Sequence, residues 1–347
     1  MTPGKAAAGR ALVTGASGFI GSAVVRALAA RGYVVRALIR SPSRAKQVTG
    51  RGVELAVGDI SDPGSVREAM SGCQLCFHVA ALYSFWVADP ARVYVVNVDG
   101  TRNVLEAACQ AGVDSVVHTS SVATVGTAPS GRPADESVTC SPPALHGHYK
   151  LSKYLAEQVA QAYAERGLPV VIVNPAFPVG PGDWKPTPTG QMILDFLRGK
   201  MPAYVDTGMS VVDVDDVALG HLLAAQRGRP GQRYILGGEN LRMREVLSLL
   251  GDITGRPAPR VRLPRRPLLA LAHANVLWHR VFGGVPRMTP ETVHMAGRLM
   301  FYDSGRASRE LGYAPRPARE ALSRAVAWFR EHGYLDPQGR KSVSLVT

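Results

Sequence analysis

The chain has 347 residues, 46% of them hydrophobic and 19% charged, with a formal net charge of +13. That composition is enough for one large or two smaller domains with a buried core, and it excludes a disordered class. The first ten residues, "MTPGKAAAGR", carry no apolar h-region, and later apolar runs are broken by Gly, Pro, His or Arg before they reach bilayer thickness, so neither a leader nor a membrane span is expected and the expected location is cytoplasmic.

In chain order, short β-branched runs alternate with helical patterns. "ALVTG" (11–15), "VVRALIR" (34–40), "VELAVGD" (53–59), "LCFHVAA" (75–81), "SVVHTSS" (115–121) and "VVIVNPA" (170–176) read as strands. "SAVVRALAARG" and "NVDGTRNVLEAACQAG" read as helices that stop at Gly32 and Gly112. Strand, helix, strand, repeated, predicts an α/β doubly wound parallel sheet of the Rossmann type. After Pro175 the chain turns rich in Pro and Gly, then helical and basic, which predicts a smaller, mostly helical substrate-binding lobe. The expected boundaries are 10–176 for the dinucleotide-binding domain with 207–236 returning to it, 177–206 and 237–335 for the second lobe, and 336–347 for a tail.

Four cysteines, Cys73, Cys76, Cys109 and Cys140, do not make a disulfide framework in a chain this long and agree with a reducing compartment. "CQLC" (73–76) has metal-ligand spacing but no second ligand pair, and "HGH" (146–148) stands equally alone; buried thiols and a loop are expected, with no metal. The arginines are spread along the chain with no helix-turn-helix, zinc-finger or RNA-binding signature, so no nucleic acid partner is expected.

The glycines in "TGASGFIG" interrupt what would otherwise be a strand and a helix. Gly15 permits a tight turn, Gly18 lets backbone approach a diphosphate, Gly21 lets helix and strand pack closely, and the helix N-terminus favours negative charge. "HYKLSK" adds a second signal. Tyr149 and Lys153 are four apart in a helical segment and share a face, and an ammonium beside a phenol of ordinary pKa about 10 favours the phenolate.

"TGASGFIG", Asp59, "HVAA" (78–81), "NVDGT" (97–101), "TSSVATVG" (119–126), "YKLSK" and "NP" (174–175) together resemble the extended short-chain dehydrogenase/reductases, the NAD-dependent epimerase/dehydratase superfamily, over nearly the whole chain. "KPTPTG", "GKMPAYVDTG" and "RYILGGENL" are more narrowly similar to the hopanoid-associated sugar epimerase group and its dihydroflavonol 4-reductase-like neighbours. The resemblance implies that Ser121 polarises a carbonyl, that Tyr149 is the general acid or base, and that Lys153 lowers its pKa and binds the nicotinamide ribose. It implies that Asn97 orders the active-site helix and that Asp59 and Ile60 contact adenine. It also implies cofactor contacts at Gly15, Ser17, Gly18, Phe19, Ile20, Gly21, Ala80, Ala81, Asn174 and Pro175, besides Tyr149 and Lys153. Ser120 is expected to be structural. Two positions depart from the family pattern, Val125 where a tyrosine is usual and Asp213 where a histidine is usual.

At the end of the second strand "ALIRSPSRAK" offers Arg40, Arg44 and Lys46 and no acid, which suits the phosphate of NADP(H) over the free ribose of NAD(H). The expected function is hydride transfer between nicotinamide and a ketone or secondary alcohol, by an NAD(P)-dependent oxidoreductase similar to dihydroflavonol reductases. The alternatives are an epimerase acting on a nucleotide-sugar or lipid-linked sugar with a retained nicotinamide, and a non-catalytic NAD(P) sensor. The expected partner is a small molecule, lipophilic or anionic, with a homodimer left open. "RLPRRPLLALAHANVLWHRVF" (262–282) sets Arg265 and Arg266 before Leu268, Leu271, Trp278 and Phe282, broken by His273, Asn275 and His279. It reads either as a cap helix burying its apolar side or as an open face for a lipophilic substrate or a membrane surface.

Overall fold

Strands buried on both faces must be apolar on both, and the Val- and Ile-rich runs of this chain meet that condition. A computed structural model describes residues 9–83, 89–128, 131–140, 145, 147–283 and 298–335, with Arg265, Arg266, Arg280 and Val281 described in backbone alone. His146 and the expected tail lie outside the described residues. The first part runs β1 (Arg10–Thr14), α1 (Phe19–Ala29), β2 (Val34–Ile39), β3 (Val53–Val57), α2 (Pro63–Met70), β4 (Leu75–His78), α3 (Pro90–Tyr94), α4 (Gly100–Ala111), β5 (Ser115–Thr119), α5 (His148–Glu165) and β6 (Val170–Pro175). There follow β7 (Phe177–Val179), α6 (Pro188–Leu197), β8 (Ala203–Val205), β9 (Gly208–Asp213), α7 (Val214–Arg227), β10 (Arg233–Leu236), β11 (Glu239–Arg242), α8 (Met243–Thr254), β12 (Val261–Leu263), α9 (Arg265–Phe282), β13 (Leu299–Met300) and α10 (Ala318–Glu331).

Seven parallel strands form the main sheet in the order β10-β6-β5-β4-β1-β2-β3. The order reverses between β1 and β4, and the crevice at the carboxyl ends of those two strands is where such sheets bind ligands. One face packs Val13, Phe77, Val117 and Val173 against α1 and α7, and the other packs Leu12, Cys76, Val116 and Ile172 against α2, α4 and α5. Helix starts are locally encoded: Asp62 accepts from the backbone N–H groups of Gly64 and Ser65 ahead of Pro63, and Thr187 accepts from that of Gly190 ahead of Pro188.

A second core joins α6, α8 and α10 over a small sheet in which β9 pairs with β7, β11 and β13. Residues 207–236 therefore divide between the layers. Strand β9 belongs to the small sheet, while α7 and β10 rejoin the large one, because β9 buries Met209 and Val211 in the second core and Val212 in the first. Cys73 and Cys76 are buried free thiols under the main sheet, and no group of metal-ligating side chains occurs among the described residues.

Candidate active site

The turn after β1 is built by contacts that only glycine tolerates. Gly15 has φ +65°, and a Cβ there would stand 2.7 Å from the Cα of Ala80, which follows β4. A Cβ on Gly21 would stand 2.1 Å from the carbonyl oxygen of Gly15. Backbone packed this closely brings the N-terminus of α1 to the switch point of the sheet. Gly18 is the N-cap and offers no side-chain acceptor, so the first N–H groups of α1 are free to meet an anion. Gly18 is exposed, Ser17, Phe19 and Ile20 are half-buried, and Ala80 and Ala81 line the facing strand end. The cradle fits a dinucleotide diphosphate.

Beyond β5, Ser121 caps a short turn by accepting from the N–H of Ala123 at 3.1 Å, and its side chain also hydrogen-bonds the Tyr149 phenol. Tyr149 opens α5, its ring edge-on to Tyr83 with centroids 4.8 Å apart. One turn further, Lys153 is buried and donates from Nζ to the Thr119 carbonyl at 2.6 Å. Its expected effect on the phenol needs correction. Removal from water lifts the Tyr149 pKa above its ordinary value, and the opposing influence is the Ser121 hydrogen bond. Burial instead acts on Lys153, lowering it to about 8 against the pull of Glu157. The phenol is thus held protonated beside a hydroxyl, as a proton donor at a carbonyl oxygen must be.

Asn97 lies on a π-helical turn, Val95–Asp99, that leads into α4 and directs its side chain inward. Its Oδ1 accepts from the Leu82 N–H at 2.7 Å, and its Nδ2 donates to the Leu82 carbonyl at 3.2 Å and to Ser152 Oγ at 2.9 Å. Ser152 in turn donates to the Tyr149 carbonyl at 2.7 Å, so Asn97 ties the start of α5 to the chain beyond β4. Below it, Thr101 donates to the Asn97 carbonyl at 2.6 Å and must therefore accept from His78 Nε2 at 2.9 Å. That leaves His78 Nδ1 as the acceptor from Thr14, at 2.8 Å, while Thr14 accepts from the Ala80 N–H at 3.2 Å. A neutral imidazole completes this chain of bonds between cradle and π-turn, and burial holds the His78 pKa down at about 3.

Glu157, a further turn along α5, is a residue that motif reading missed. It is buried, and it accepts from Ser120, from Thr124 at 2.7 Å and from Asn174 Nδ2 at 3.0 Å, while pairing with Arg233 at 3.2 Å. Its spacing of four from Lys153 and eight from Tyr149 was the available signal. Ser120, expected to be structural, donates to Glu157 and lies within hydrogen-bond reach of Thr124. Asn174 turns into this network, donating also to the Ser121 carbonyl at 3.0 Å, and Pro175 is buried at the end of β6 beside β10.

Arg40, Arg44 and Lys46 are exposed after β2, and no carboxylate pairs with them among the described residues. Asp59 Oδ1 accepts from the Ser61 N–H and hydroxyl at 2.9 and 2.8 Å, and Ile60 is buried against Gly100. The two departures have local reasons. Val125 is fully buried with Val122, Ala134, Ile235 and Tyr302. Asp213 caps α7 through the Asp215 N–H at 2.8 Å and pairs with Arg324 at 2.8 Å, so its charge anchors α10 across the lobes.

Residues 11–237 match the NAD dependent epimerase/dehydratase family. A putative dihydroflavonol 4-reductase of Synechocystis sp. is 46% identical over 330 residues, covering 94% of this chain and 96% of that protein. Sterol demethylase protein B of Methylococcus capsulatus is 41% identical over 328 residues, 93% of this chain and 99% of that one. Among solved structures, the crystal structure of gox2253 superposes with a TM-score of 0.83 at 50% identity, covering 93% of this chain and 98% of its own.

Proposed function

Because this chain belongs to the NAD dependent epimerase/dehydratase family and is a nicotinamide-dependent oxidoreductase of the extended short-chain type, we propose that it reduces the ketone of a lipophilic, ring-bearing small molecule with NADPH. The observation that carries this reading is the Ser121–Tyr149 hydrogen bond beside a buried Lys153, at the switch point where the glycine cradle opens. The bound nicotinamide supplies the hydride. Gly15, Gly18 and Gly21 with the N-terminus of α1 hold the diphosphate, and Arg40 with Arg44 holds the 2′-phosphate. Ser121 donates to the substrate carbonyl, Tyr149 gives its proton to the oxygen as negative charge develops there, and the Lys153 cation offsets the phenolate left behind. Asn97 acts through Ser152, keeping the first turn of α5 in place.

The lipophilic substrate is supported by two relatives, one a putative dihydroflavonol 4-reductase and the other sterol demethylase protein B. Val125, buried where the family pattern often has a tyrosine, offers a sugar substrate no polar contact. A reductase exchanges its cofactor at every turnover, whereas an epimerase keeps it. Denaturing the purified protein and assaying released nicotinamide separates them. The reductase reading expects no stoichiometric nicotinamide and consumption of added NADPH with a dihydroflavonol or a 3-ketosterol; one retained nicotinamide per chain and no NADPH consumption would favour the epimerase.

A further inference from the structure

Helix α9 half-buries Leu268, Leu269, Asn275, Val276 and His279 and leaves its other face exposed. Ala272 is its one fully buried side chain among those described, whereas Leu271, Leu277, Trp278 and Phe282 are 56%, 63%, 60% and 67% exposed. Pro267, Leu271, Ala274, Trp278 and Phe282 follow one another at intervals of four, three, four and four, which places them on a single face, and Leu277 flanks it. All are exposed. Trp278 lies against Phe282 with ring centroids 4.2 Å apart, so the far end of the stripe is one aromatic surface. At about 1.5 Å per residue the stripe is roughly 20 Å long and carries no charged residue.

The foot of this helix is basic. Arg242 and Arg262 line a cavity of about 330 Å³ together with Val205, Pro264 and Leu299, and Asp206 is the single acid on its wall, 3.2 Å from Arg262. Arg256 and Arg260 are exposed on the stretch leading there, and two further arginines open the helix in the sequence. An apolar stripe about four turns long with cations gathered at one end matches a bilayer surface with anionic headgroups, where apolar side chains sink to the acyl boundary and guanidinium groups stay among phosphates. No helix among the described residues is long and apolar enough to cross a membrane, so any such contact is in the plane of the surface.

We infer that α9 docks this protein on anionic lipid membranes, with Leu271, Trp278 and Phe282 inserted and Arg242 and Arg262 at headgroup level. The inference deepens the proposed function, on which it rests only for its purpose: a lipophilic ketone resides in the bilayer, and docking brings the enzyme to it. A water-soluble partner protein is the poorer match, because the stripe offers no polar group to fix register or orientation.

The test uses the full chain and vesicles of phosphatidylcholine with and without phosphatidylglycerol, at low and high salt. Co-sedimentation is expected with the anionic vesicles at low salt, to weaken as salt rises, and to fall by about tenfold or more in the Leu271→Ser/Trp278→Ser/Phe282→Ser variant. The variant should keep the wild-type melting temperature and NADPH affinity, since these side chains belong to no hydrophobic core among the described residues. Absence of vesicle binding by the wild type overturns the inference, as does equal binding by the variant. Light scattering that shows a dimer in the wild type and a monomer in the variant, with no vesicle binding by either, assigns the face to a second copy and overturns it too. Turnover of a detergent-dispersed ketone is a separate readout: docking without turnover leaves α9 as a membrane face and removes the substrate reading, and turnover without docking does the reverse.

Discussion

The ammonium of Lys153 and the main-chain carbonyl of Thr119 meet at 2.6 Å, fastening the second turn of α5 to the last residue of β5. The side chain that carries a positive charge one turn beyond Tyr149 is therefore also a strut between helix and sheet. It holds that charge less firmly than an exposed lysine, because burial lowers its pKa to about 8. Below that pH the cation is present, and above it the cation is lost. The kcat/KM for ketone reduction should thus decline as pH rises through about 8. Lys153→Arg should move the decline to higher pH at some cost in rate, since a guanidinium stays charged. Initial rates across a pH series measure both, and a wild-type profile that stays level well above that point contradicts the assignment.

Exposed Arg40 and Arg44 meet no carboxylate among the described residues, so their charge is available to a ligand. Replacing both by Ala should weaken NADPH binding by about 3–6 kcal/mol and leave NADH nearly unchanged, because each charge-assisted hydrogen bond contributes about 1.5–3 kcal/mol. Calorimetric titration of both cofactors against both proteins gives the comparison; equal losses would move the phosphate site elsewhere.

Glu157 gathers Ser120, Thr124, Asn174 and Arg233 around one carboxylate, and its side chain is 5% exposed against 17% for Arg233. Glu157→Ala leaves that arginine without its buried counter-charge and should destabilise the fold by about 3–5 kcal/mol in urea unfolding. Glu157→Gln keeps the size and one acceptor, so a smaller loss is expected. A loss under 1 kcal/mol in the Ala variant, about what an exposed pair contributes, would make the network incidental.

Three buried histidines make the fold sensitive to acid. Burial lowers His78 to about 3 and His221 to about 4, and His118 moves in the same direction. The unfolded chain binds protons at these positions near pH 6.5 and the folded chain does not, so stability is fully present above pH 6.5 and is lost as pH falls toward the folded values. Each histidine contributes about 1.4 kcal/mol per pH unit within that window. His221→Gln, which preserves an acceptor for Thr119, should remove one proton's worth of that slope between pH 6 and about 4. Unfolding free energies at several pH values supply the slope, and an unchanged slope contradicts the linkage.

Much of this architecture is legible in local sequence. All six expected strands are present, each ending one to three residues early where the chain leaves the sheet to form the site loops. The cradle could be read because Gly15 and Gly21 answer to backbone contacts within ten residues or to a facing strand end. The edge strand β10 and the division of 207–236 between layers could not, since β9 has apolar residues on both faces and its partners lie far along the chain. The direction of the Tyr149 shift was also hidden: spacing on a helix suggests an effect of Lys153, but burial raises the phenol's pKa and what opposes it is the Ser121 hydrogen bond. Glu157 had a spacing signal but no chemistry to single it out until Arg233, 76 residues away, arrived beside it.

In the proposed reaction Tyr149 protonates a ketone as it receives hydride from a nicotinamide that is then released. Turnover with NADPH deuterated at the transferred position, in wild type and Tyr149→Phe, tests it most directly, with a dihydroflavonol and a 3-ketosterol as acceptors. Deuterium is expected on the carbinol carbon and one NADP⁺ released per alcohol formed, with turnover lower by about a hundredfold or more in Tyr149→Phe and NADPH affinity unchanged. Product without deuterium, or undiminished turnover in the variant, would contradict it.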